Sequence, residues 1–131
     1  PTARLHELLP LVDDLVLTAP LTDDTRNLIG ATELALLRPG AHIVNIGRGE
    51  LIDEPALIAA LQSGHLGAAA LDVFAVEPLP ADSPLWDMPN VIVTPHSAGG
   101  TSKLATQRAA AIFTDNLGRF VRGEPLINEV S

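Results

Sequence analysis

The chain alternates short apolar runs with segments of helical spacing. Four runs stand out, at residues 14–18, 42–46, 68–74 and 91–94, each closed by a polar, proline or glycine turn. Three are rich in β-branched residues; the third is rich in alanine and carries the weaker strand signal. Their lengths suit strands, and their near-continuous apolarity predicts strands covered on both faces. Between them lie helical patterns. Residues 32–37 are closed by Arg38-Pro39-Gly40, a basic last turn followed by breakers. Residues 54–63 take Asp53 as N-cap, Pro55 in the first turn and Gly64 as the stop. Residues 101–122 place Ile112, Phe113, Asn116, Leu117, Phe120 and Val121 on one helix face, with Gly123 at its end. Strands alternating with helices predict an α/β fold with a parallel sheet, which binds ligands at the carboxyl ends of its strands. The Pro-rich stretch 77–84 predicts a fixed surface loop.

Composition narrows the classes. The 131 residues suffice for one domain with a core. Eight Lys and Arg against sixteen Asp and Glu give a net charge of −8, which argues against a nucleic-acid binder. Apolar residues make up 47 %, but no run approaches the ~18 residues a membrane span requires. There are no cysteines, so disulfides, thiolate zinc sites and cysteine nucleophiles are excluded. No basic-then-apolar leader is visible, and the expectation is a soluble cytoplasmic protein with no nucleic-acid or membrane partner. The first residue is Pro1 rather than Met, so a further segment is expected upstream.

The candidate chemistry lies past the strand ends. Pro20-Leu21-Thr22 with Thr25 follows the first strand and reads alone as a rigid turn. After the second, Gly47-Arg48-Gly49 imitates a dinucleotide fingerprint without its third glycine, and that match is rejected. An arginine between glycines at such a place can instead grip a planar carboxylate with two parallel hydrogen bonds, or stand exposed beside a turn. Asp72 sits in an apolar run, where an acid must be paired, cap the backbone or face a ligand. His96 follows the fourth strand, and a histidine there can give or take a proton near neutral pH. Glu77 is the carboxylate that topology brings closest to it. His6, His42 and His65 show no metal-ligand spacing, and no metal site is expected. Trp86 either packs under the Pro-rich loop, the favoured use, or lines the cleft.

Taken together, these residues resemble the carboxyl-terminal portion of the D-isomer-specific 2-hydroxyacid dehydrogenases. The resemblance rests on Pro20-Leu21-Thr22 with Thr25, Asn45-Ile46-Gly47-Arg48-Gly49 with Asp53, Ala70-Leu71-Asp72-Val73-Phe74 with Glu77-Pro78, and Thr94-Pro95-His96 with Gly99. It implies hydride transfer between NAD or NADP and a 2-keto or 2-hydroxy acid such as glyoxylate or hydroxypyruvate. It implies that Arg48 binds the substrate carboxylate, that His96 is the general acid/base and that Glu77 keeps it charged. It assigns Pro20, Thr25, Ile46, Gly47, Arg48, Asp72, His96 and Gly99 to cofactor binding, with Asp72 at the nicotinamide amide.

The family's Gly-x-Gly-x-x-Gly turn and its substrate domain are absent from the sequence. Residues 1–131 are therefore expected to form the second half of a Rossmann-like, doubly wound dinucleotide-binding domain with a long C-terminal helix. Such a piece is expected to be inactive by itself, with an unpaired edge at its first strand that favours self-association, and the protein to be a homodimer. A nucleotide-sensing or corepressor-like protein on the same fold is the alternative.

Overall fold

A computed structural model describes residues 4–99 and 103–129. They fall into two compact units that divide between Ala98 and Gly99. The first contains α1 (Leu5–Leu8), β1 (Asp14–Leu17), α2 (Ala31–Leu36), β2 (Ala41–Asn45), α3 (Glu54–Gln62), β3 (Leu66–Leu71) and β4 (Val91–Val93). Single 3-10 turns occupy Leu9–Leu11, Gly49–Leu51 and Pro84–Trp86. The four strands form one sheet in the order β1-β2-β3-β4, every pair parallel. Consecutive strands as parallel neighbours require crossovers, and α2 and α3 supply the first two.

Local chemistry sets the helix ends. Glu33 folds back to accept from the Gly30 N–H at 3.0 Å, which starts α2 one residue before the predicted Thr32. Asp53 Oδ1 accepts from the Ala56 N–H at 3.3 Å and caps α3, with Pro55 in its first turn. Leu34, Leu37, Leu57 and Leu61 from the helical segments meet Leu17, Ile43, Ala69 and Leu71 from the strands in one core. Each leucine so buried contributes about 1.5–3 kcal/mol.

Cover on both faces is not found within this unit. Val16, Val44, Ala70 and Ile92 are paired across the sheet on its other face. Val16 and Ile92 are more than half exposed there, while Val44 and Ala70 are half-buried. The physical reason is that α2 and α3 pack on the face that carries Ile43 and Leu71. Strand β3 also differs from its prediction: it begins at Leu66 and ends at Leu71, leaving Asp72, Val73 and Phe74 as a buried turn beyond it.

The second unit consists of α4 (Lys103–Arg122) and a short tail. The predicted helix start at Thr101 lies outside the described residues. Gly123 ends the helix with φ of 69°, its N–H donating to the Phe120 carbonyl at 3.1 Å. Asn116, placed by spacing on the apolar face, instead holds the tail: its side chain donates to the Ile127 carbonyl at 2.9 Å and accepts from the Ile127 N–H at 2.8 Å. No candidate span among the described residues is long and apolar enough to cross a membrane.

Candidate active site

At the end of β2 the backbone is folded by Asn45, a side chain 1 % exposed. It donates to the Arg48 carbonyl at 2.9 Å and accepts from the Gly47 N–H at 3.1 Å. This two-way bond shapes the loop that presents Arg48. A β-carbon on Gly47 would lie 3.0 Å from the Ala19 carbonyl oxygen and 2.9 Å from Leu51, so only glycine fits without displacement. The Arg48 side chain is exposed, and its guanidinium donates to the Gly47 carbonyl at 2.7 Å. Sequence reasoning missed Asn45 as the organiser of this loop; a polar residue closing an apolar strand was the available signal.

Asp72 is 4 % exposed. Its Oδ1 accepts from the Thr94 hydroxyl and from the Ser97 N–H at 2.9 Å, and its Oδ2 from the Ala98 N–H at 2.8 Å. Burial pushes this carboxyl up, but the Thr94 hydroxyl, the Ala98 and Ser97 amides and the positive charge at His96 outweigh it and leave it below the usual carboxylate range. Between those partners stands His96 with φ of 50°, the left-handed region that costs an L-residue roughly 1–2 kcal/mol.

His96 Nδ1 and Glu77 Oε2 lie 2.7 Å apart. The other Glu77 oxygen accepts from the Phe74 N–H at 3.1 Å, and Glu54 Oε2 accepts from the adjacent Ala75 N–H at 3.2 Å. The bond to His96 lowers the Glu77 pKa most; burial opposes it, and the Phe74 amide and the charges of His96 and Arg48 lower it further. Gly49 completes the support. A β-carbon there would sit 1.9 Å from the Phe74 carbonyl carbon, so the Arg48 loop rests directly on the backbone that carries Glu77. Neither Gly49 nor Glu54 signals this contact in the sequence, because their partners lie more than 20 residues away.

Two hollows open here. One of about 660 Å³ is lined by Phe74, Glu77, Leu79, Trp86, Pro95 and His96, among others. The other, about 400 Å³, lies between the β1 and β2 ends, with Pro20, Leu21, Ile46, Gly47 and Arg48 in its wall. The structure thus joins Glu77 to His96 and gathers Pro20, Ile46, Gly47 and Arg48, with Gly49 touching both sets. Trp86 combines its two readings, since it lines the first hollow while its indole N–H donates to the Pro80 carbonyl at 2.9 Å. Thr25 is engaged locally: its hydroxyl donates to the Pro20 carbonyl and accepts from the Thr22 N–H, both at 2.8 Å. Gly99 belongs to the second unit, where a β-carbon would meet no atom within 4 Å. Of the other histidines, His6 pairs with Glu33 at 2.6 Å, His42 with Asp14 at 2.9 Å, and His65 with the Leu34 carbonyl at 3.0 Å. Among the described residues no group of side chains could hold a metal ion.

The family described as D-isomer specific 2-hydroxyacid dehydrogenase, NAD binding domain, matches residues 1–98. Glyoxylate/hydroxypyruvate reductase B of Citrobacter koseri is 46 % identical over 120 residues, covering 92 % of this chain and 37 % of that protein. The chain therefore spans little more than a third of the length of such relatives. A D-isomer specific 2-hydroxyacid dehydrogenase from Xanthobacter autotrophicus Py2, solved with NADPH and MES, is 46 % identical with a TM-score of 0.90, covering 98 % of this chain and 52 % of that one. An NADPH-dependent glyoxylate/hydroxypyruvate reductase from Sinorhizobium meliloti, solved with NADP and sulfate, is 38 % identical with a TM-score of 0.89, covering 98 % and 42 %.

Proposed function

This chain belongs to the D-isomer-specific 2-hydroxyacid dehydrogenase family, and on that premise we propose that it serves as the half of a dinucleotide-binding domain that reduces a 2-keto acid such as glyoxylate or hydroxypyruvate. The observation that carries this reading is the 2.7 Å contact between His96 and Glu77, in a unit where the Arg48 charge is felt at the same carboxylate. A bound NAD or NADP supplies the hydride. The residues fit such a group: Pro20, Ile46 and Gly47 line an open hollow together with Arg48 at the carboxyl ends of parallel strands.

The division of labour follows from charge. Hydride arrival at a carbonyl carbon builds negative charge on its oxygen, and a donor must meet that charge in the transition state. His96 presents Nε2 for this task, because Nδ1 is held by Glu77. Arg48, released from the Gly47 carbonyl by rotation of its own side chain, has the planar fork that fits the substrate carboxylate. Asp72 is proposed, on the family resemblance, to contact the nicotinamide amide, and Thr25 to serve the cofactor site through the turn it holds. Gly99 is proposed as cofactor-lining backbone on the family resemblance alone. A homodimer is proposed on the family resemblance alone, and a cytoplasmic location on the acidic, cysteine-free composition.

The test is turnover by the full-length protein that carries this segment. NADPH or NADH oxidation with glyoxylate or hydroxypyruvate is the expected result; cofactor binding with no turnover on any 2-keto acid would favour the nucleotide-sensing alternative. A pH series refines it. Glu77 is ionised throughout the neutral range because the bond to His96 holds its carboxyl below the usual carboxylate range, and its negative charge faces the imidazole at 2.7 Å. Glu77→Gln removes that charge, so the alkaline limb of keto-acid reduction is expected to move to lower pH. A limb that stays in place would separate Glu77 from the proton transfer.

A further inference from the structure

We propose that Asp72 is a positioning residue for His96: its buried carboxylate binds the chain on both sides of the histidine and fixes the left-handed turn that aims the imidazole at Glu77. The inference rests on the functional reading above for the importance of His96, but its geometry stands independently. Thr94, two residues before His96, donates its hydroxyl to Asp72, and Ser97 and Ala98, the next two residues, donate their amides at 2.9 and 2.8 Å. One anchored carboxylate thus ties the turn at three points around a residue whose φ of 50° an L-side chain adopts rarely. Loosening these ties frees the backbone at 96 to return to an ordinary conformation, and the 2.7 Å contact with Glu77 is then lost.

This role is additional to the proposed contact with the cofactor, and Thr94 separates the two. Its hydroxyl touches Asp72 and leaves the carboxylate itself in place. Asp72 and Glu77 both act on the imidazole by charge, and the substitution of Thr94 keeps both carboxylates while removing one hydrogen bond to Asp72.

The experiment compares Asp72→Asn, Thr94→Val and Thr94→Ser in the full-length protein. Asp72→Asn turns an amide NH2 towards a backbone N–H. Thr94→Val removes one tie, and Thr94→Ser keeps it. Three readouts are taken: kcat for glyoxylate reduction, NADPH affinity by fluorescence, and the ring-nitrogen NMR shifts of 15N-labelled His96. Displacement of a reacting group by about 1 Å costs on the order of 100-fold in rate. Asp72→Asn and Thr94→Val are therefore expected to lower kcat roughly 10- to 100-fold and to shift the His96 ring signals, with NADPH affinity within about twofold in Thr94→Val. Thr94→Ser is expected to restore both rate and signals.

Unchanged His96 signals in both Asp72→Asn and Thr94→Val would overturn the proposal and leave Asp72 as a cofactor ligand alone. Should Asp72→Asn fail to fold, Thr94→Val decides, since normal kcat with normal His96 signals there also overturns it. If the unmodified protein reduces no keto acid, the functional reading fails, while the His96 signals still test the positioning.

Discussion

His96→Ala is expected to reduce the rate of keto-acid reduction by about 10²- to 10⁴-fold, the usual contribution of a positioned general acid. The loss is expected in kcat more than in cofactor affinity, because the substitution removes a proton donor and leaves the Asp72 bonds to the Ser97 and Ala98 amides intact. The decisive comparison is kcat against NADPH affinity in the full-length protein. A variant with more than a tenth of the original kcat would remove His96 from the chemistry. Glu77 then has no proton to manage, and the 2.7 Å pair is a surface ion pair of little consequence.

Gly49→Ala has the largest expected structural effect. The new methyl would lie 1.9 and 2.0 Å from the Phe74 carbonyl carbon and oxygen and 2.4 Å from the Ala75 nitrogen. Those are backbone atoms on a buried turn, so the strand-end loops must part. Overpacking of this kind costs roughly 1–3 kcal/mol and sometimes more. Urea denaturation should show at least that loss, and turnover should fall with it, because the displaced segment carries Glu77 and its bond to the Phe74 amide. A soluble variant with unchanged midpoint and unchanged rate would contradict the contact between the Arg48 loop and the Glu77 turn. Gly99→Ala provides the contrast: its β-carbon meets no atom within 4 Å, and stability is expected to be unchanged.

The unequal legibility of the two turns has a physical origin. The Pro20–Thr25 turn is local, and every bond of the Thr25 hydroxyl reaches no farther than five residues, so sequence alone identified it as a rigid turn. The turn around His96 is built by a carboxylate 25 residues upstream, and the same sequence could place Asp72 only by resemblance. Asn45 falls between these cases. Its bonds span two and three residues, yet they form only because β2 ends there and buries the side chain.

By itself, then, the sequence determined the order of the four strands with α2, α3 and α4, the caps at Asp53, Gly64 and Gly123, and the family to which the chain belongs, while α1 was not read from it. These depend on spacing and on residues within a turn of one another, where chain connectivity imposes the geometry. Only the tertiary structure decided that Asp72 faces the turn of His96, that Glu54 and Gly49 support the Glu77 segment, and that one sheet face of the first unit stays open. Those outcomes depend on which strand ends the parallel sheet brings side by side. Contacts across 20 or more residues exist only once that sheet has closed.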